Sequence, residues 1–320
     1  MMNLIYQMFP LALMMATPLI LGALGGLFSE RSGIVNIAID GTMQVGAFLA
    51  MVCVLIFEAN GLPYAKWVAL VVAFIGGAIF ISIHALASIH FRADQTVSGT
   101  AVNVLAGGLT IYLCQIMYNG ARSTDTISAA QGFQKFTIPV LSQIPVIGPL
   151  FFTNVYATTI LAFILVIVSW FIMYKTPFGL RLRSCGEFPQ ASASMGINVT
   201  KMRWIAELIS GGLSGLAGGV LVLTTATFYY SGTVHGLGFV AVATLIFGQW
   251  SPWGVLGAGM FFGFAQVLGL YSSSIPFLAS LPSEFFAMFP YIVTIIALVI
   301  FSGKNVAPKA SGEIYDPSKR

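Results

Sequence analysis

Two apolar stretches of this sequence carry polar side chains at helical spacing. They are Asn36, Asp40 and Gln44 in the first stretch, and Thr96, Thr100 and Asn103 in the second. Residues three or four apart lie on the same face of a helix. Amide, carboxyl and hydroxyl groups in such a row could hydrogen-bond a polar solute inside a membrane, where polar residues are often functional. They could equally hold neighbouring helices together, with Asp40 paired to Arg31 or Arg92, and both interpretations stay open.

The composition indicates what must position these side chains. Hydrophobic residues make up 58% of the chain and charged residues 8%, whereas a soluble domain has about 25% charged residues. The mean hydropathy is +0.91. We therefore predict an all-α, polytopic integral membrane protein with about nine transmembrane helices, in contact with lipid.

Several kinds of chemistry are not indicated. Cys53, Cys114 and Cys185 are scattered along the chain, so we expect no disulfide and no metal site. The net charge of +4 arises from basic residues at the ends of apolar segments, and we expect no nucleic-acid partner. The phosphate-binding loop G-x-x-x-x-G-K-[ST] is missing. We predict that the chain is not an enzyme and carries no cofactor.

The order of apolar and polar segments predicts a single transmembrane domain over residues 1–303, with a loose tail at 304–320. A long outer loop is expected at 119–152 and a polar loop at 176–203. Residues 239–248 are apolar but short for a crossing, and 286–301 form the predicted last span. Most Lys and Arg residues then fall on one side, which predicts the N-terminus outside and the C-terminus in the cytosol.

The polar loop has the signals of a short helix outside the membrane. Pro177 and Gly179 interrupt the preceding span. Ser184 stands three residues before Glu187, as in a capping box, and Pro189 suits the first turn of a new helix that stops near Gly196. Such a helix between two spans needs a partner to bind. The following span carries glycines at 211, 215 and 219, a spacing that favours close helix contact.

Four segments together resemble the permease subunits of ATP-binding cassette (ABC) importers. EFPQASASMGINVT at 187–200 is similar to their coupling helix, which docks on a separate ATPase. ERSGIVNIAIDG at 30–41 is similar to a turn in permeases for simple sugars, branched-chain amino acids and nucleosides, although Asp40 stands where Glu is expected. SGGLSGLAGG at 210–219 and GFVAVATLIFG at 238–248 also match. The turn and ADQTVSGTAVN at 93–103 are most similar to the nucleoside-type members.

The resemblance implies a function, a location and partners. The chain would be the permease subunit of a bacterial ABC importer in the cytoplasmic membrane, with nucleosides as the favoured cargo. Its partners would be an ATPase subunit, a second permease subunit and an extracytoplasmic substrate-binding protein. A permease for simple sugars or another small solute such as riboflavin stays open. So does an ion-coupled secondary transporter that uses Asp40 or His84.

The same resemblance assigns candidate residues to two roles. The residues expected to couple the chain to the ATPase are Glu187, Ala191, Met195 and Gly196. Those expected to line the translocation pathway are Asn36, Asp40, Gln44, Thr96, Thr100, Asn103 and Phe239.

Overall fold

The computed structural model describes residues 2–61, 64–128, 130–139, 141–145, 147–271, 288, 292 and 307–316. In this part of the chain the protein is built from helices, with two isolated β-bridges and no strand. The all-α prediction is confirmed. The helices are α1 (Met2–Arg31), α2 (Ile39–Ala59), α3 (Ala65–Ala85), α4 (Gln95–Met117), α5 (Ile147–Phe151), α6 (Ala157–Lys175), α7 (Pro177–Glu187), α8 (Pro189–Ser194), α9 (Val199–Thr225), α10 (Leu237–Phe247) and α11 (Pro252–Tyr271). A π-helical turn, Leu86–His90, extends α3.

Seven described helices are long and apolar enough to cross a membrane: α1, α3 with its π-helical turn, and α2, α4, α6, α9 and α11. The protein is therefore a polytopic membrane protein. The predicted crossing at 239–248 corresponds to α10, which has 11 residues and spans about 16 Å at 1.5 Å per residue, half of a hydrocarbon core of about 30 Å. The ninth, at 286–301, lies outside the described residues apart from 288 and 292, so the count of nine remains a prediction.

The centre of the bundle is α9, which packs against α1, α2 and α3. Two of its glycines lie against backbone atoms of α3. A Cβ on Gly211 would lie 2.6 Å from the carbonyl oxygen of Gly77, and one on Gly215 would lie 2.9 Å from Gly77 Cα. A Cβ on Gly219 would lie 2.9 Å from the Cβ of Ala73, a small side chain. The prediction that these glycines form a surface for close helix contact is confirmed.

The end of the bundle that holds Arg31, Arg92 and Arg203 will be called the basic end. The C-terminal segment 307–316 packs here, and the prediction of a loose tail is wrong for these residues. Ala310 N donates to Gly186 O at 2.9 Å, and Gly312 N donates to Gly33 O at 3.3 Å. The tail is held because its backbone satisfies carbonyl groups of two other segments.

Two arginines complete the contacts of the tail. Arg203 Nη1 donates to Glu313 O at 3.3 Å, and Arg92 Nη2 lies 3.2 Å from Asp316 Oδ1. The tail therefore ties α7, α9 and the two turns after α1 and α3 into one assembly.

Candidate functional site

The chain between α1 and α2 is not helical, and it brings the start of α2 to the middle of the bundle. Ile39, the first residue of α2, packs against Gly22 and Gly26 of α1. Asn36 precedes the helix, so the prediction that it shares a helical face with Asp40 and Gln44 is wrong. Its Oδ1 accepts from Ala38 N at 2.9 Å, and its Nδ2 donates to Ser210 Oγ at 2.8 Å. Asn36 thus fastens the irregular segment to α9.

Asn103 of α4 satisfies the same irregular segment from the other side. Its Oδ1 accepts from Gly41 N at 2.7 Å and its Nδ2 donates to Ile37 O at 2.9 Å. Backbone groups inside a membrane need internal partners, and this side chain supplies two. In this structure the amide of Asn103 is engaged in holding the break in the helix.

Asp40 joins the beginning of α2 to the beginning of α10. Its side chain is buried, with Oδ1 accepting from Gly238 N at 3.0 Å and Oδ2 accepting from Gln44 Nε2 at 3.2 Å. The pairing with Arg31 or Arg92 is wrong, since those residues bind elsewhere. Because Gly238 lies in the first turn of α10, the carboxylate faces the positive end of that helix dipole. The arrangement places a buried acid where two helices begin within the bundle.

Gln44 and Phe239 flank this junction. Gln44 Oε1 is buried and has no hydrogen-bond partner, and it lies 3.7 Å from where a Cβ on Gly107 would stand. The Phe239 side chain is 47% exposed, one residue beyond the amide that binds Asp40. An acid, an amide with a free acceptor and an accessible aromatic ring therefore lie together at the start of α10.

Thr96 and Thr100 lie away from the junction. Both are exposed on the first turns of α4, and the Thr100 hydroxyl donates to the carbonyl of Thr96 on the same helix. The structure thus brings together Asn36, Asp40, Gln44, Asn103 and Phe239 but not these two threonines. His84 is buried, and its Nδ1 lies 2.8 Å from Ser98 Oγ, a contact between α3 and α4.

The polar loop forms two helices at the basic end rather than one. Thr176 caps α7, with its Oγ1 accepting from Gly179 N at 3.2 Å, and Pro177 begins the helix. Ser184 lies inside α7 and donates to Arg181 O at 2.8 Å, so the predicted capping box is wrong. Pro189 begins α8 as predicted. Gly196 follows α8 at φ +81°, a conformation that glycine adopts readily.

The predicted coupling residues all lie on an exposed surface around α8. Glu187, Ala191, Met195 and Gly196 are exposed. Met195 is 83% exposed and its neighbour Phe188, missed by the sequence analysis, is 62% exposed. Exposed large apolar side chains on a polar segment indicate a binding surface. Beneath it, Cys185 is fully buried, and burial raises the pKa of its thiol.

Three residues at this end, Glu30, Arg31 and Trp250, make contacts that were not predicted from the sequence. Arg31 donates from Nε and Nη2 to Trp250 O, at 3.0 and 2.7 Å. Arg31 Nη1 also lies 3.9 Å from Glu187 Oε1, and Trp250 Nε1 donates to Glu30. The ERSG motif contains both Glu30 and Arg31, but only the fold reveals that they meet the turn after α10. Among the described residues, no group of three or more His, Cys, Asp or Glu side chains could hold a metal ion.

Comparison with known proteins agrees with this architecture. Residues 9–298 match the family model described as branched-chain amino acid transport system / permease component. The chain belongs to this permease family. It is the membrane-spanning subunit of a transport system in the cytoplasmic membrane, and a permease subunit is not itself an enzyme. Its family implies an ATPase and a substrate-binding protein as partners.

Three relatives of the permease have descriptive names. The guanosine ABC transporter permease protein NupQ of Bacillus subtilis is 50% identical, over 97% of each chain. The nucleoside ABC transporter permease protein NupC of Lactococcus lactis is 40% identical, over 96% of each chain. The putative glucose ABC transporter permease protein TsgC13 of Haloferax volcanii is 32% identical, over 81% of this chain and 76% of the relative.

Proposed function

We propose that this chain is the permease subunit of an ABC importer for nucleosides. The observation that carries the proposal is the 50% identity to a guanosine permease over nearly the whole of both chains. The 40% identical relative, named for nucleosides, supports the same cargo. A simple-sugar permease is the second candidate, favoured by the 32% identical relative named for glucose.

The junction at the start of α10 is the proposed substrate contact. Asp40 and the unpartnered Gln44 Oε1 are hydrogen-bond acceptors, and the N–H groups of a purine base are donors that suit them. The exposed ring of Phe239 offers a surface for base stacking. Asn36 and Asn103 hold the backbone that presents Asp40, whereas Thr96 and Thr100 lie on the open face of α4, where they can contact the pathway or a second permease subunit.

The exposed surface around α8 is the proposed docking site of the ATPase, which places the basic end in the cytosol. Closure of the ATPase on ATP binding would move Glu187, Ala191, Met195 and Gly196 together. Phe188 and Met195 would be the apolar anchors of the interface. We propose an assembly of two permease subunits over two ATPase subunits, with the substrate-binding protein delivering cargo at the opposite end.

The cargo is tested by uptake of radiolabelled guanosine in cells that express this permease with its partner subunits. Unlabelled nucleosides should compete for uptake, and glucose should not. Competition by glucose without competition by nucleosides would establish the second candidate instead. Inactivating the ATPase should abolish uptake, while a protonophore applied at constant ATP should leave it. The reverse pattern would indicate ion-coupled transport.

The docking surface is tested with the variant Met195→Asp. Because the Met195 side chain is 83% exposed, the variant should fold normally but lose co-purification of the ATPase subunit. The matched control is Tyr64→Asp, which introduces the same charge at a residue 76% exposed near the start of α3. Equal retention of the ATPase by both variants would contradict the proposed interface.

A further inference from the structure

Arg31 connects the coupling surface to the turn that ends α10. Two of its nitrogen atoms donate to the same carbonyl oxygen, that of Trp250, at 3.0 and 2.7 Å. The third lies 3.9 Å from the carboxylate of Glu187, at the end of α7. The side chain is only partly exposed, so this geometry is sheltered from water. One guanidinium group therefore contacts both the segment proposed to receive the ATPase and the turn between α10 and α11.

The turn that Arg31 binds has a costly backbone conformation. Gln249 and Trp250 have φ of +51° and +50°, in the left-handed region that costs a non-glycine residue about 1–2 kcal/mol. Trp250 N donates to Leu245 O at 3.3 Å, and the indole Nε1 donates to Glu30. The last turn of α1 thus holds both the main chain and the side chain of Trp250. Without these contacts, another backbone conformation of the turn would be lower in energy.

The other end of the same short helix carries the proposed substrate contact. Gly238 N donates to Asp40 Oδ1 at 3.0 Å, and a Cβ on Gly238 would lie 2.6 Å from Asp40 Cβ. Between its ends α10 runs beside α1, with Ala241 next to Gly22 and Leu245 next to Gly26. With 11 residues, α10 is a stiff rod of about 16 Å. Because the helix is rigid, a displacement of its Trp250 end would also displace its Gly238 end, where Asp40 is bound.

We propose that Arg31 is the positioning residue that transmits movement of the coupling surface through the Trp250 turn and α10 to Asp40 and Phe239. The inference rests on the proposed function, because it takes α8 as the docking site and the start of α10 as the substrate contact. Arg31 touches neither the substrate nor ATP in this account. It fixes the position of α10 relative to α7. Movement of α7 can therefore displace the start of α10 only while Arg31 is present.

The experiment uses the complete transporter in liposomes, with Phe239→Cys as a reporter. The native cysteines are buried in the described structure, so a thiol-reactive fluorophore should label the reporter preferentially. Its labelling rate is measured without nucleotide and in the ATP-vanadate state. We expect the rate to change with nucleotide when Arg31 is present, and to lose this dependence in Arg31→Gln. Arg31→Lys should recover little of it, since an ammonium group cannot replace the guanidinium fork.

The matched control is Arg92→Gln, which removes an arginine from the same end by breaking its pair with Asp316. It should keep the nucleotide dependence of the reporter. Glu187→Gln, which weakens the ion pair between Arg31 and Glu187, should reduce the nucleotide dependence. It serves as the second variant if Arg31→Gln does not fold. ATPase co-purification should be unchanged in Arg31→Gln and in Arg92→Gln, since neither changes a residue of the proposed docking surface.

Full nucleotide dependence in Arg31→Gln or in Glu187→Gln would overturn the inference, as would loss of the ATPase subunit from Arg31→Gln. A labelling rate of the reporter that does not change with nucleotide in the otherwise unaltered protein would also overturn it. Guanosine uptake by the transporter that retains Phe239 separates this failure from that of the proposed function, because that uptake can persist when α10 does not transmit the movement.

Discussion

The contact between α9 and α3 and the junction at the start of α10 are held together by different kinds of interaction. At the contact of α9 with α3, two glycines of α9 lie directly against backbone atoms of Ala73 and Gly77. Before α2 and at the start of α10, the helices are interrupted. The side chains of Asn36, Asp40 and Asn103 accept hydrogen bonds there from backbone N–H groups. The first region is held by close contact and the second by a few hydrogen bonds.

The difference indicates which region can move. Contacts between backbones have no rotamers to adjust, so α9 and α3 can shift only as rigid bodies. The hydrogen bonds that Asp40 accepts, and those that the Asn103 amide makes, can be exchanged for bonds to a solute of similar polarity. The glycine contact therefore suits a fixed centre, and the interrupted helices suit a binding site. Changes to each region should consequently have different kinds of effect.

The largest effect is expected from adding one methyl group at the glycine contact. In Gly215→Ala the new Cβ would fall on Ala73 O and 2.9 Å from Gly77 Cα. Overpacking typically costs about 1–3 kcal/mol, and here both obstacles are backbone. We expect the melting temperature in detergent to drop markedly. The control is Gly108→Ala on α4, where a Cβ has no neighbour within 4 Å. Equal melting temperatures for the two variants would refute the rigid contact.

A smaller loss of stability is expected when Asp40 is shortened. Asp40→Ala leaves Gly238 N without its acceptor at the start of α10, and an unsatisfied buried group costs about 1–3 kcal/mol. Asp40→Asn keeps an acceptor of the same size, so it should be more stable than Asp40→Ala. Both should lower guanosine uptake if the carboxylate binds substrate. Differential scanning fluorimetry and uptake together separate the two roles, and an Asn variant with normal uptake would restrict Asp40 to a structural role.

The sequence predicts a region well where nearby residues determine its structure, and poorly where distant residues do. Pro189 at the start of α8 and the glycines of α9 were predicted because each acts through its own backbone or through a fixed spacing. The position of Asn36 was predicted wrongly because the interruption before α2 is stabilised by Ser210 and Asn103, which are distant in sequence. Pattern alone extends a helix through such a segment.

The packed tail illustrates a second limit. Its partners are the carbonyl groups of Gly33 and Gly186, and every residue has a carbonyl group, so the sequence contains no signal for them. The link from Arg31 to Trp250 was missed for the same reason, since the acceptor is main chain. By contrast, the exposed surface around α8 was found from sequence because proline, glycine and charged residues mark it directly.

Removing the tail tests whether the basic end depends on it. Deletion of residues 307–320 removes the bonds to Gly33, Gly186 and Arg203. Water can then reach these groups, so the net loss should be about 1 kcal/mol, within the usual range for a hydrogen bond. We expect a small decrease in melting temperature. Deletion of residues 317–320 alone, which leaves every one of these bonds, should cause none. Equal effects would show that the packing of 307–316 contributes nothing.

The smallest effect concerns Cys185, beneath the coupling surface. Its thiol is fully buried, and burial raises its pKa, so at neutral pH the reactive thiolate is scarcer than in a free cysteine. A maleimide should therefore label Cys185 only after denaturation, whereas Met195→Cys, at a position 83% exposed, should react at once. Binding of the ATPase should slow labelling of the introduced cysteine and leave Cys185 unchanged. Rapid labelling of Cys185 in the folded protein would mean that α7 separates from the bundle more readily than its contacts with α6 and α9 indicate.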